Sequence, residues 1–282
     1  MTITGQAVIA GVMGWPVAHS RSPRLHNFWL DRYGIDGAYV PFAVPPEAVQ
    51  AALGALPKLG IAGTNVTIPH KEAAFQAVDV RDPIAERIGA VNTVFVRPDT
   101  TLAGTNTDAF GFIEALRSRR PGWTGDAGPA VVLGAGGAAR AVLVALQDAG
   151  APEIRLLNRT RDRAEGLREA FGPPIVVAEW SEREAALDGA RLLVNTTVLG
   201  MAGAEPLDIR LDALPRDAVV NDIVYTPMET PLLAAARTRG CIAVDGLEML
   251  LHQARPGFAG WFGREPEVDD ALRDHVMAGP AG

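Results

Sequence analysis

The sequence predicts an α/β protein of two domains, an N-terminal and mainly parallel α/β unit followed by a second α/β unit of doubly wound type. Three observations predict it. Short apolar runs alternate with stretches of helical period along the chain. The alternation pauses at the Gly- and Pro-rich stretch Pro121–Pro129 and restarts near Ala130. The chain has 282 residues, 48% of them hydrophobic, which suits two cores better than one.

In the first series Val8–Met13, Ala38–Val44, Gly63–Val66 and Val91–Val96 read as strands. Pro23–Tyr33, Pro46–Leu56 and Lys71–Val78 read as the intervening helices. Strands separated by helices predict crossovers and parallel pairing. A helical pattern at Asp108–Leu116 leads out of this unit. The second series has strands at Ala130–Leu133, Ile154–Asn158, Ile175–Ala178, Leu192–Asn195 and Val219–Ile223, with helices at Ala139–Ala149 and Thr160–Phe171. A last helical pattern, Gly246–Phe262, could return to the first unit. The expected domains are therefore 1–108 with 245–282, and 109–244.

Composition excludes several classes. A formal net charge of −7 argues against a nucleic-acid partner, whose phosphates call for a basic face. No leader-like N-terminus and no apolar run of spanning length is seen, so a cytoplasmic chain that does not enter a membrane is expected. The single cysteine, Cys241, reads as a small buried apolar residue in a reducing compartment. His19, His26, His70, His252 and His275 show no paired ligand spacing, so no metal site is expected. His26 and His252, on helices, read as satisfied or exposed. No Gly-x-Ser-x-Gly elbow argues for a hydrolase.

The clearest local signal is Val131-Val132-Leu133-Gly134-Ala135-Gly136-Gly137-Ala138-Ala139. An apolar strand runs into a Gly-x-Gly-x-x-Ala turn and then into an Ala-rich helix, the context a dinucleotide fingerprint requires. Gly134 permits the tight turn, Gly136 admits a pyrophosphate close to the backbone, and Ala139 keeps helix and strand close. The second domain is therefore expected to be a Rossmann-type dinucleotide-binding domain. The next strand ends in Asn158-Arg159-Thr160, with Arg161 and Arg163 following and no carboxylate at its tip. An acid there would suit the ribose of NAD, whereas Arg suits the 2′-phosphate of NADP. NADP is the expected cofactor. An exposed helix face explains Arg161 and Arg163 equally well.

Three polar clusters in the first half do not read as core. They are Gly14–Pro23 with Ser20 and Ser22, Gly63–Lys71 with Asn65, Thr67 and Lys71, and Gly89–Thr93 together with Gly104–Asp108. Each alone could be a cap or turn. Together they supply hydroxyls, amides, one Lys and one Asp at strand ends, a set suited to a polyhydroxylated small acid. Of 26 basic residues only Lys58 and Lys71 are Lys. Lys58 suits a solvated helix end. Lys71 stands where a titratable ammonium could serve and a permanently charged guanidinium could not.

On these segments the chain closely resembles the shikimate dehydrogenase family over nearly its whole length. The segments are Pro16–Pro23 with His26-Asn27, Asn65–Lys71, Gly89–Thr93, Asn106–Asp108, Gly134–Ala139, Asn158–Thr160, Asn195–Met201, Asp222–Tyr225, Thr230–Leu232 and Gly246–Gln253 with Phe258 and Trp261. Val198 stands where the family often has Pro, and His70 occupies a position the family varies; neither removes a functional group. The resemblance implies an oxidoreductase that reversibly reduces 3-dehydroshikimate to shikimate with NADPH, in aromatic amino-acid biosynthesis. It assigns Lys71 and Asp108 to catalysis, with Asp108 orienting the Lys. It assigns Ser20, Ser22, Thr67, Lys71, Asn92, Asp108, Tyr225 and Gln253 to the substrate. Gly134, Ala135, Gly136, Gly137, Ala138, Asn158, Arg159, Thr160, Arg163, Ile223 and Gly246 are expected to line the cofactor. A monomer or homodimer is expected. Two readings compete: a quinate/shikimate dehydrogenase using NAD, and a non-catalytic ligand-sensing relative. The second should have lost Lys71 or Asp108, and both are present.

Overall fold

The computed structural model describes residues 3–278; of the tail Ala278–Gly282, which the sequence predicts to be frayed, all but Ala278 lie outside that range. Strands β1 (Val8–Gly14), β2 (Gly37–Ala43), β3 (Ile61–Val66), β4 (Val80–Arg81), β5 (Thr93–Val96) and β6 (Leu102–Thr105) form the first sheet. Around them lie helices α1 (Ser22–Tyr33), α2 (Val49–Ala55), α3 (Lys71–Ala77) and α4 (Pro83–Ile88). Helix α5 (Asp108–Arg119) leads to the second sheet, made of β7 (Ala130–Leu133), β8 (Ile154–Leu157), β9 (Ile175–Ala178), β10 (Leu192–Asn195), β11 (Val219–Asp222) and β12 (Ile242–Val244). Its helices include α6 (Gly137–Asp148), α7 (Arg161–Phe171) and α8 (Pro231–Arg239); α9 (Gly246–Phe262) and α10 (Asp270–Met277) close the chain. Two compact units result, Met1–Thr107 with Gln253–Gly282, and Asp108–His252, so the division falls inside α9.

The second sheet is wholly parallel, in the order β9-β8-β7-β10-β11-β12. Strand order reverses between β7 and β10, so two loops diverge there and leave a crevice at the carboxyl ends of the strands. Val131, Leu133, Leu193, Val220 and Leu232 lie in one continuous core with Leu187 and Leu214. Cys241 is buried at that core, and burial pushes its thiol up, as expected of a residue used for packing.

The first sheet has the order β2-β1-β3-β5-β6-β4. Pairs β1·β2, β1·β3 and β4·β6 are parallel, but β5 runs antiparallel to both β3 and β6. The expectation of parallel pairing fails at β5 and β6, because only Arg97–Thr101 connects them, too short for a crossover helix. That stretch closes as a hairpin in which the Arg97 N–H donates to the Thr101 carbonyl. The predicted strand Val91–Val96 begins instead at Thr93, since the Val91 N–H is taken by the Lys71 carbonyl. The predicted helix Pro46–Leu56 opens as a 3₁₀ turn, Pro46–Ala48. The order reverses between β1 and β3, and the Ser20 and Thr67 loops leave from those carboxyl ends.

The C-terminal half of α9 belongs to the first unit's packing. Trp261 donates from Nε1 to the Val94 carbonyl, and Gly260 lies so close to Phe95 that an added Cβ would stand 2.3 Å from the ring. Trp29, fully buried, meets Phe258 edge-on at 5.1 Å between ring centres. Among the described residues no helix is long and apolar enough to cross a membrane.

Candidate active site

In the first unit a chain of hydrogen bonds joins the predicted polar residues. The Ser20 hydroxyl accepts the Ser22 N–H at 3.3 Å, a turn bond just ahead of α1, whose N-cap position is Arg21 and carries no side-chain cap bond. That leaves the Ser22 side chain for something else. Its hydroxyl donates to the phenol oxygen of Tyr39. Burial holds the Tyr39 phenol protonated, so Tyr39 in turn donates to Asn65 Oδ1 at 2.6 Å. Asn65 Nδ2 donates to the Thr93 hydroxyl at 3.0 Å and to the Asn92 carbonyl. Asn92 Oδ1 accepts from the Thr93 hydroxyl at 2.9 Å and from the Thr107 N–H at 2.8 Å. The Thr107 hydroxyl sits 3.2 Å from Asn92 Oδ1 and 3.5 Å from Gln253 Oε1.

This network fixes orientation. A backbone N–H can only donate, so the bond from Thr107 identifies the Asn92 oxygen and turns its amide nitrogen to the other side. Asn65, Thr93, Asn92 and Thr107 are all buried, and each bond removes a polar group's desolvation cost. Lys71 opens α3 and its carbonyl holds Val91, so its position is tied to the Asn92 segment. His70, just before it, is buried and bonds the Val44 carbonyl through Nε2 at 2.7 Å, anchoring the start of α3. Thr67 is held by the bond from its N–H to the Met13 carbonyl. Ser20, Ser22, Thr67, Lys71, Asn92 and Gln253 thus all belong to the first unit; Asp108, buried at the start of α5, and Tyr225 belong to the second.

Sequence reasoning missed Tyr39 and Thr107 as parts of this network. Tyr39 lay inside an apolar strand pattern, and only tertiary pairing shows its hydroxyl among polar partners. Thr107 lay in a recognised cluster, but nothing local tells which of Asn106, Thr107 and Asp108 faces Asn92. His26 departs from expectation outright. It is neither exposed nor satisfied: it is fully buried, stacks on Tyr39 at 3.9 Å, and neither ring nitrogen has a hydrogen-bond partner.

In the second unit the glycine turn has the predicted form. Gly134 has φ +107°, and an added Cβ would lie 2.6 Å from Thr196 Oγ1, so only glycine fits. Thr196 holds this approach by donating to the Leu133 carbonyl. Around Gly136 and Gly137 no atom lies within 4 Å of an added Cβ, so the space above them is open. No side chain caps α6, and its first-turn N–H groups can face a phosphate. A dinucleotide fits this donor set: an open glycine surface at a helix N-terminus on the switch point of a parallel sheet. The loops beside it are fixed by Asp222, which accepts from Asn195 Nδ2 and the Thr230 hydroxyl while burial pushes its carboxyl up. Gly246 packs on the Ile223 carbonyl, where an added Cβ would stand 2.1 Å from the oxygen.

The arginines after β8 are not equivalent. Arg161 is held by Glu179 at 2.6 Å and Glu165 at 2.8 Å, which makes it a surface-network residue. Arg159 and Arg163 are exposed, and Asn158 braces the turn by donating to the Thr160 carbonyl. Among the described residues no cluster of His, Cys, Asp and Glu could hold a metal.

The shikimate dehydrogenase (NADP(+)) of Rhodospirillum rubrum is 60% identical to this chain over 282 residues, spanning 99% of the chain and 100% of that protein. The chain belongs to the shikimate dehydrogenase family. The family model described as shikimate dehydrogenase substrate binding domain matches residues 12–94, from the end of β1 through β3 and the Ser20–Asn92 part of the network. A shikimate 5-dehydrogenase from Thermus thermophilus, solved with NADP(H) and shikimate, is 39% identical with a TM-score of 0.84, covering 96% of this chain and 99% of that one. A quinate dehydrogenase from Corynebacterium glutamicum, solved with NAD, gives a TM-score of 0.89 at 29% identity over 96% and 99%. The two-sheet family fold therefore serves more than one substrate and cofactor pair.

Proposed function

We propose that this chain is an NADP-dependent shikimate dehydrogenase, reducing 3-dehydroshikimate to shikimate and catalysing the reverse oxidation. The observation that carries this reading is the family identity running the full length of both chains, with Lys71 and Asp108 in place. The first unit supplies the substrate's hydrogen-bonding groups and the second the cofactor's. Ser20, Ser22, Thr67, Asn92 and Gln253 provide hydroxyls and amides of fixed direction for a ring carrying hydroxyl and carboxylate groups. Tyr225 adds a phenol. Gly134–Ala138 with the α6 N-terminus would hold the pyrophosphate, Asn158, Arg159, Thr160 and Arg163 the phosphorylated ribose, and Ile223 and Gly246 the remainder.

Bound NADPH supplies the hydride that the ketone carbon takes up. The ketone oxygen then requires a proton, and Lys71 Nζ donates it after first hydrogen-bonding the carbonyl. Asp108 contributes a carboxylate acceptor for a substrate hydroxyl. Acid–base help of this kind is worth about 10²–10⁴ in rate. The test combines an assay with one substitution. Purified protein is given shikimate or quinate with NADP⁺ or NAD⁺, and absorbance is followed. Shikimate with NADP⁺ should be turned over fastest, and Lys71→Met should lower kcat by about 10²–10⁴ while changing KM far less. Near-normal turnover in that variant would remove Lys71 from the chemistry, and a preference for quinate with NAD⁺ would support the rival assignment. The missing carboxylate at the tip of β8 speaks against that rival.

A further inference from the structure

The Arg159 guanidinium already has a partner. Its Nη1 lies 3.5 Å from Glu205 Oε2, on the segment that follows β10. That segment is held in place. The Asn195 amide donates to the Leu199 carbonyl, the Gly200 N–H to the Glu205 carbonyl at 2.8 Å, and the Ala202 N–H to the Thr226 carbonyl. The backbone that carries Glu205 is thus fixed, and its side chain reaches out to Arg159. The pair is long and exposed, 61% and 79% accessible, so its strength is small and sensitive to salt. Arg161, by contrast, is fixed between two carboxylates at 2.6 and 2.8 Å, whereas Arg159 has this one long pair at 3.5 Å.

We propose that Glu205 is a specificity-determining residue that limits the preference for NADP over NAD, acting as an internal rival of the 2′-phosphate for Arg159. This rests on the reading that Arg159 receives that phosphate. A phosphate must displace the carboxylate and then remain beside it, so Glu205 opposes NADP twice, by competition and by like-charge repulsion. NAD brings no charge there, and a carboxylate can accept the hydrogen bond of its ribose hydroxyl.

The test titrates wild type, Glu205→Gln, Arg159→Ala and the double variant with NADP⁺ and NAD⁺ by calorimetry, without substrate, in low and high salt. Glu205→Gln should bind NADP⁺ about two- to fivefold tighter and NAD⁺ no tighter, the range set by the strength of an exposed ion pair. The gain should shrink in high salt and vanish on the Arg159→Ala background. Unchanged NADP⁺ affinity, equal gains for both dinucleotides, or a gain that survives without Arg159 would overturn the proposal. Arg159→Ala alone separates the two levels of inference. A loss for NADP⁺ far exceeding that for NAD⁺ upholds the Arg159 reading even if Glu205→Gln does nothing; equal losses overturn both.

Discussion

The imidazole of His26 is walled in by the rings of Trp29, Tyr39, Phe258 and Trp261, with no hydrogen bond to either nitrogen. Burial drives its pKa from 6.5 down to about 3, because a charge there would lose water and gain no partner. The unfolded chain takes up this proton below about pH 6.5, and the folded chain refuses it until about pH 3. His26 therefore contributes stability above pH 6.5 that is lost progressively as pH falls, at up to ~1.4 kcal/mol per pH unit. Urea unfolding at pH 7 and pH 5 should show wild type losing about 2 kcal/mol more than His26→Phe over this interval. Parallel losses in both proteins would mean the ring is protonated or solvated in the fold.

At the scale of elements, the β7–α6 turn separates two uses of glycine. Gly134 serves the fold, through its positive φ and its contact with Thr196; Gly136, whose φ of −98° any residue can adopt, faces open space. Gly136→Ala should therefore leave thermal stability nearly unchanged, within about 0.5 kcal/mol, while weakening NADP⁺ binding more than about tenfold, because its methyl would take the place proposed for the pyrophosphate. Gly134→Ala should lose stability and binding together. A stable Gly134→Ala protein, or a Gly136→Ala protein with intact affinity, would contradict this division of labour. Calorimetric melting and dinucleotide titration measure both.

At the scale of the molecule, the two units differ in continuity. Residues Asp108–His252 form one uninterrupted stretch, whereas the first unit is completed by Gln253–Gly282. That return supplies Phe258 and Trp261 beside Trp29 and Tyr39, and the Val276 carbonyl that accepts from Arg21. A chain ending at His252 should keep a folded second unit that binds NADP⁺ and have a first unit open to protease. Trp261→Ala, by the same logic, should destabilise the first unit by about 3–5 kcal/mol in denaturant unfolding. Equal protease resistance of the truncated and full chains would show that the first unit's core closes without the return.

What the sequence determined by itself was whatever depends on neighbours along the chain. The glycine turn was legible because strand, turn and helix are consecutive and Gly134 answers a local steric demand. The arginines after β8 and Lys71 at the start of α3 stood out by residue type, because a guanidinium and a titratable ammonium restrict the chemistry proposed for them. Elements without a strong local pattern were not. The two-residue β4 is too short for any period, and β6 exists because a five-residue connection folds it back on β5. The same limit applied to the sites. Arg161 and Arg163 look alike in sequence, and only the carboxylates of Glu165 and Glu179 separate them. Tyr39, Asn65, Asn92 and Thr107 come from four segments, and Glu205 lies 46 residues beyond the arginine it faces. Tertiary structure decided these, because hydrogen bonds and ion pairs form between groups near in space, and sheet order sets which distant segments become near.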